Sequence, residues 1–143
     1  MLTRRHVLRL LLALAGLAAA PVPLRAAPTP QPPLRLRIQT SPVAGFQYHH
    51  GPTLWAQLAE GDPLDLIREP ANPHDPMAVR IDWQGYKLGY LPRRENHAVS
   101  QMLDRGETLH ARITRLQSVA DPWQRIVLCI DWSAAPRAGE GRG

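Results

Sequence analysis

The side chains best suited to chemistry in this chain gather in three short stretches. Gln47-Tyr48-His49-His50 offers an amide, a phenol and two imidazoles. Glu69-Pro70-Ala71-Asn72-Pro73-His74-Asp75-Pro76 holds two carboxylates, an amide and an imidazole between three prolines, and Tyr90-Leu91-Pro92-Arg93-Arg94 sets a phenol beside two guanidiniums. A proline fixes φ and removes a donor, so the middle stretch can be neither a helix nor a central strand; it reads as a rigid loop. A loop that is already stiff loses little freedom on binding, and its polar groups arrive placed. An aspartate accepts hydrogen bonds from hydroxyl groups and repels other anions. Single-strand binding needs rings to stack bases and cations to follow phosphates, each stacked base being worth about 1–3 kcal/mol. Tyr48, Tyr90, Arg68, Arg93 and Arg94 are of those types.

Other chemistries find less support. His49, His50, His74, His97 and Asp75 are metal-ligating types, and zinc would draw first on His49, His74 and Asp75, but no Cys-x-x-Cys or His-x-x-x-His spacing accompanies them. A hydrolase needs clustered carboxylates or a nucleophile with its base; Glu69 and Asp75 share a loop with no third partner in view. No glycine-rich phosphate loop is present. No catalytic constellation is legible and no cofactor is expected. Each stretch also has a plainer reading: Asn72 and Asp75 as turn-formers that bond their own backbone, Tyr90 as a barrel residue with one polar tip, Arg93-Arg94 as a solvated edge.

The elements that must position these groups are short. Leu34, Leu36 and Ile38 alternate with Arg35, Arg37 and Gln39, the period of a half-buried strand that Pro42 ends. Val43 to Tyr48 reads as a second strand with a bulge at Gly45. Thr53 to Leu58 forms one or two helical turns, and Leu64, Leu66 and Arg68 belong to the next strand. After the proline loop, Met77 to Trp83 and Tyr86 to Leu91 make a hairpin about Gln84-Gly85. A helix runs from Pro92 to about Arg105, with Ala98, Val99, Met102 and Leu103 inward and Gly106 as its stop. Leu109, Ala111, Ile113 and Leu116 alternate along another strand, and Trp123 to Trp132 forms the last. The four tryptophans are expected in or at the edge of the core, although Trp123 and Trp132 fall on opposite faces of one strand. About six strands with one clear helix and a short helical turn predict a mainly β fold, a small closed or partly closed barrel.

The N-terminus is a different kind of sequence. Thr3-Arg4-Arg5-His6-Val7-Leu8-Arg9 opens an apolar run from Leu10 to Ala20, about half the ~20 residues of a membrane span. Small residues, prolines and Arg25-Ala26 follow, the order of a cleavable signal peptide, and it resembles a bacterial twin-arginine signal. The organisation is therefore a signal over residues 1–26, a Pro-rich tether over 27–33, one domain over 34–132 and a tail over 133–143. An exported, periplasmic or secreted location is expected, with no membrane insertion after cleavage, or a cytoplasmic one if the signal is unused. Four of the seventeen Lys and Arg residues fall in that signal, so the formal +5 of the 143-residue chain shrinks to thirteen bases against twelve acids. A nearly neutral domain binds nucleic acid through a local patch rather than its overall field. The single cysteine, Cys129, excludes an internal disulfide and reads as a buried thiol.

Three motifs carry a resemblance: Gly45-Phe46-Gln47-Tyr48-His49-His50-Gly51, Leu66-Ile67-Arg68-Glu69-Pro70-Ala71-Asn72-Pro73-His74-Asp75-Pro76-Met77-Ala78-Val79, and Lys87-Leu88-Gly89-Tyr90-Leu91-Pro92. Over residues 34–132 the chain resembles the HIRAN family in its lone bacterial form. The resemblance implies an OB-like β-barrel, and a domain that in ATP-driven DNA translocases binds single-stranded DNA at a free 3′ end. It implies that Tyr48 stacks a base, that Asn72 and Asp75 contact the terminal nucleotide with Asp75 on the 3′-hydroxyl, and that Arg93 contacts phosphate. Gln47 stands where the family has an arginine, His74 where a second stacking tyrosine is usual, and Ala71 where a second asparagine can sit; Tyr90 occupies a position that bears a polar ring.

The leading expectation is thus a nucleic-acid-binding module for a single-stranded DNA end, built on Gln47, Tyr48, Arg68, Asn72, His74, Asp75, Tyr90 and Arg93. The second is an exported envelope module for a glycan, peptide or protein partner, since barrels of this shape present one concave face to many polymers. The third is a metal-dependent hydrolase. Salt separates the first two, because phosphate contacts weaken steeply with ionic strength and glycan stacking does not.

Overall fold

The computed structural model describes Ala26 and residues 33–134. The expected signal, nearly all of the tether and most of the tail lie outside the described residues. Six strands, β1 (Arg35–Pro42), β2 (Pro63–Arg68), β3 (Val79–Trp83), β4 (Tyr86–Tyr90), β5 (Thr108–Leu116) and β6 (Ile126–Ser133), form one antiparallel sheet in the order β1-β6-β5-β2-β3-β4. A short helix α1 (Gly51–Leu54) and a longer α2 (His97–Asp104) complete it, with single helical turns at Phe46–Tyr48, Trp55–Gln57 and Pro122–Gln124.

The sheet curls because β2 changes neighbour midway. Pro63 and Leu64 pair with β5, while Asp65 to Arg68 pair with β3. The two edge strands then meet at one point: Ala44, just past β1, exchanges both backbone hydrogen bonds with Tyr90 at the end of β4, at 2.8 and 3.0 Å. The barrel is therefore closed by a single bridge rather than a ladder. Gly89 permits the approach, since a Cβ there would overlap the Ala44 carbonyl. Inside lie Val43, Phe46, Val79, Ile81, Leu88, Val99, Ile113, Leu128 and Ile130, all essentially inaccessible. Each such aliphatic side chain contributes about 1.5–3 kcal/mol by leaving water. Cys129, between Leu128 and Ile130 on β6, is a buried free thiol.

The structure departs from the sequence reading at several places. In β1 the register slips between Arg37 and Gln39, so Ile38 is an extra residue. The expected apolar row is exposed, Leu34 at 79% and Leu36 at 59%, at the start of an edge strand, while past the slip Gln39 and Ser41 bond Glu95. Val43 to Tyr48 is not a strand: after Ala44, Gly45 adopts the left-handed conformation (φ 75°) and the chain turns helically through Phe46–Tyr48. The last strand starts at Ile126, so Trp123 stands apart from Trp132 on its own turn, where the Asp121 side chain accepts from the Trp123 N–H. The longer helix starts at His97, five residues later than expected, because Pro92 to Glu95 forms a separate turn.

Candidate functional site

The proline loop is fixed by its own polar side chains. Asn72 Oδ1 accepts from the His74 N–H at 2.9 Å, and Asp75 Oδ1 from the Met77 N–H at 2.9 Å, two turns in which a side chain imitates backbone. The loop closes through Glu69 N–H to the Ala78 carbonyl at 3.1 Å. From outside the loop, Arg68 donates to the carbonyls of Ala78 and Pro76 and pairs with both carboxylate oxygens of Asp104 on α2. This is where Arg68 differs from its sequence reading: its guanidinium is occupied holding the loop to α2, and it does not line the cleft described below.

Asp75 is held from the other side by the turn before α2. Asn96 is 2% exposed and sits at the position where a side chain usually caps a helix, yet it makes no cap; its Nδ2 donates to Asp75 Oδ2 at 2.7 Å. Arg93 Nε stands 3.8 Å from the same oxygen. The turn is anchored to β1, where Ser41 donates to Glu95 Oε2 at 2.7 Å and Gln39 to the Glu95 carbonyl at 3.0 Å. The polar residues that the β1 bulge turns inward thus fix the segment that carries Arg93 and Asn96.

Glu69 is the hub of a second network. Its carboxylate accepts from Asn72 Nδ2, from the Tyr90 hydroxyl and from Arg80, at 2.9 to 3.1 Å. Burial pushes the Glu69 carboxyl up, but these three donors and the nearby Lys87 charge more than offset it and hold it below the usual glutamate range. Tyr90 accepts in turn from Lys87 Nζ at 2.7 Å, with that ammonium 4.3 Å from the ring centroid. His49 packs edge-on against Tyr90 at 6.0 Å between centroids. Desolvation first, then the charges of Lys87 and His50, lower the His49 pKa, so it stays neutral further into acid than a free histidine.

These groups border a cleft of about 560 Å³. His49, Asn72, His74, Asp75, Tyr90 and Arg93 of the sequence-read candidates line it; Gln47 and Tyr48 do not. Tyr48 is 79% exposed on its helical turn, which packs against the turn of Trp123. Two lining residues were not singled out by the sequence. Trp123 is 46% exposed and borders both this cleft and a shallower hollow with Pro92, Arg93 and Arg94; a proline-led helical turn, not a strand, puts it there. Lys87 lies in β4, where alternation would send it to the face opposite Tyr90. Among the described residues no three His, Cys, Asp or Glu side chains gather as a metal set, although His49, His74 and Asp75 all border the cleft. The arrangement offers an anchored carboxylate, two cations, two imidazoles and an indole around one concavity.

Comparison with known proteins bears on what that concavity takes. The family model described as HIRAN domain matches residues 37–127, more than half of the chain. A Fanconi-associated nuclease 1 homolog from Oryza sativa subsp. japonica is 34% identical over 67 residues, which is 44% of this chain but 6% of that protein. A crystal structure of a protein from Lactobacillus plantarum superposes with a TM-score of 0.59 at 26% identity, over 71% of this chain and 97% of that one. The crystal structure of the HIRAN domain of human HLTF does so with a TM-score of 0.55 at 18% identity, over 68% and 78%. The OB-like barrel expected from the sequence is the fold of these neighbours.

Proposed function

This chain belongs to the HIRAN domain family, and we propose that its cleft binds single-stranded nucleic acid at a free 3′ end. The observation that carries the reading is Asp75. Its carboxylate is fixed at the cleft by Asn96 and by the Met77 N–H, with the Arg93 guanidinium 3.8 Å away. A hydroxyl acceptor beside a cation suits a nucleotide that presents both a terminal hydroxyl and a phosphodiester, whereas a terminal phosphate would meet the carboxylate head-on. Trp123 and His74 supply exposed rings at the cleft, and Tyr48 one on the neighbouring turn, on which bases can stack. The chain spans only 6% of the rice relative, and the nuclease activity in that name is that protein's own.

The test is a fluorescence-anisotropy titration of residues 27–143 with a short single strand ending in a 3′-hydroxyl or a 3′-phosphate. The 3′-hydroxyl strand is expected to bind at least about tenfold more tightly, a difference of about 1.4 kcal/mol. Asp75→Ala should abolish the preference, with folding checked by melting because Asp75 also holds its loop. Equal affinity for both ends would overturn end recognition. No binding at low salt would overturn nucleic-acid binding altogether and favour an envelope polymer such as a glycan.

The same proposal includes location. The twin-arginine-like N-terminus supports export of the folded domain, where incoming or extracellular DNA would be the ligand. Mass spectrometry of the secreted protein should show a new N-terminus after Ala26; an intact Met1 would overturn it.

A further inference from the structure

The cleft has a cation that the reading above does not use. We infer that Lys87 grips the phosphodiester nearest the strand end, and so sets how strongly binding depends on backbone charge; this rests on the nucleic-acid reading of the same cleft.

The first argument is aim. In the β3–β4 hairpin Arg80 pairs with Tyr90 and Asp82 with Lys87, while the register slips so that Leu88 is an extra residue in β4. Arg80 and Asp82 are two apart on β3 and share a face, so Tyr90 and Lys87 share it too. A bulge inserts one residue and so shifts the alternation of the residues on one side of it relative to those on the other. Without it Lys87 would point to the far side of the sheet; with it, the ammonium reaches the cleft beside Tyr90.

The second argument is vacancy of charge. Arg93, the other cation bordering the cleft, already faces Asp75. Among the described residues Lys87 has no carboxylate within ion-pair reach; its oxygen partner is the Tyr90 phenol. An ammonium has three donors, and this contact uses one. The acids nearest on that face, Glu69 and Asp82, are each already bonded by Arg80, Asp82 through two nitrogens. The Tyr90 hydroxyl gives its proton to Glu69 and so presents only lone pairs to Lys87. Lys87 is thus held in place by a neutral group rather than neutralised by an acid, and the ring beneath it restrains the stem. An anion of the cleft's ligand completes its coordination; in a nucleic acid that anion is a phosphodiester.

The test compares the wild type, Lys87→Met and Lys87→Arg on a 3′-hydroxyl single strand across a salt series. A second strand carries a neutral methylphosphonate at the terminal linkage. Lys87→Met should weaken binding to the first strand about tenfold, as expected for losing one charge-assisted hydrogen bond. It should also lower the slope of log affinity against log salt by about 0.7, one phosphate's worth on a single strand. On the methylphosphonate strand wild type and Lys87→Met should bind alike, and Lys87→Arg should keep the wild-type slope. If Lys87→Met does not fold, Lys87→Gln takes its place. A Lys87 that only braced Tyr90 would cost affinity with an unchanged salt slope, and the loss would persist on the neutral linkage; either result overturns the inference. Wild-type binding with no effect of the substitution overturns it alone, whereas a wild type that binds neither strand overturns the nucleic-acid reading with it.

Discussion

At the scale of single residues the site is an arrangement of borrowed partners. Asn96 forgoes the helix cap its position invites and serves Asp75, and Arg68 spends its guanidinium on two loop carbonyls and Asp104. Residue type was legible in the sequence, but partnership was not, because the side-chain partners are distant: 21 positions separate Asn96 from Asp75 and 36 separate Arg68 from Asp104. Arg68 has the charge of a phosphate contact, and nothing local says that α2 claims it. Asn96→Asp tests the arrangement. It replaces a 2.7 Å donor by a second carboxylate facing Asp75 in a buried position, and removing such a partner costs about 1–3 kcal/mol. The melting temperature should fall by roughly 4–12 °C for a domain of about 100 residues, and the preference for a 3′-hydroxyl should shrink. An unchanged melting temperature would show that Asp75 does not depend on Asn96.

At the scale of elements, the proline loop, the Gln84-Gly85 hairpin and most strand positions could be read from residue types. Prolines forbid the alternatives, and both turn residues adopt positive φ as a tight hairpin requires. The bulges at Ile38 and Leu88 could not be read. A bulge leaves the alternation of apolar and polar residues looking intact while it reverses which face the following residues occupy. That is why simple alternation would send Lys87 to the face opposite Tyr90; Leu34 and Leu36 looked buried because alternation does not tell the exposed start of an edge strand from its covered part. Trp123 was misplaced at a strand boundary: a three-residue change in where β6 begins decides whether it belongs to a sheet or to the cleft. The seam gives the prediction at this scale. Gly89→Ala would drive a methyl into the Ala44 carbonyl and the Val43 side chain. Overpacking of this kind costs about 1–3 kcal/mol, read as a lower denaturant midpoint, and the backbone shift it forces should weaken ligand binding as well. Wild-type stability in the variant would show that the bridge can relax freely.

For the molecule as a whole, acid is the informative variable. The folded His49 pKa lies below that of an unfolded histidine, about 6.5, so the unfolded chain takes up more protons there and stability declines as pH falls below that value. The effect is small because the burial that causes it is only partial. Glu69 and Asp131 behave differently. Burial raises both, and their hydrogen-bonded partners (Asn72, Tyr90 and Arg80 for the first, Arg37 and Arg112 for the second) more than offset it and bring both below their ordinary values. Their contribution is present above about pH 4.3 and 3.9, the unfolded values, and is lost as pH falls through the lower folded ones. Melting temperature should therefore slope gently below about pH 6.5 and drop steeply only below about pH 4. His49→Gln should erase the gentle step and leave the steep one. A curve flat down to pH 4 in the wild type would show that the ring feels no burial.

The bridge between Ala44 and Tyr90 ties two things together. The bonds that close the barrel belong to the same residues that wall the cleft, since Ala44 and Tyr90 both border it. When the two edges part, the wall goes with them, and the grip on a guest is lost at the moment the barrel breathes. If the proposed function holds, the converse follows: a strand end in the cleft would staple the single bridge that closes the barrel, and occupancy and integrity would rise and fall together.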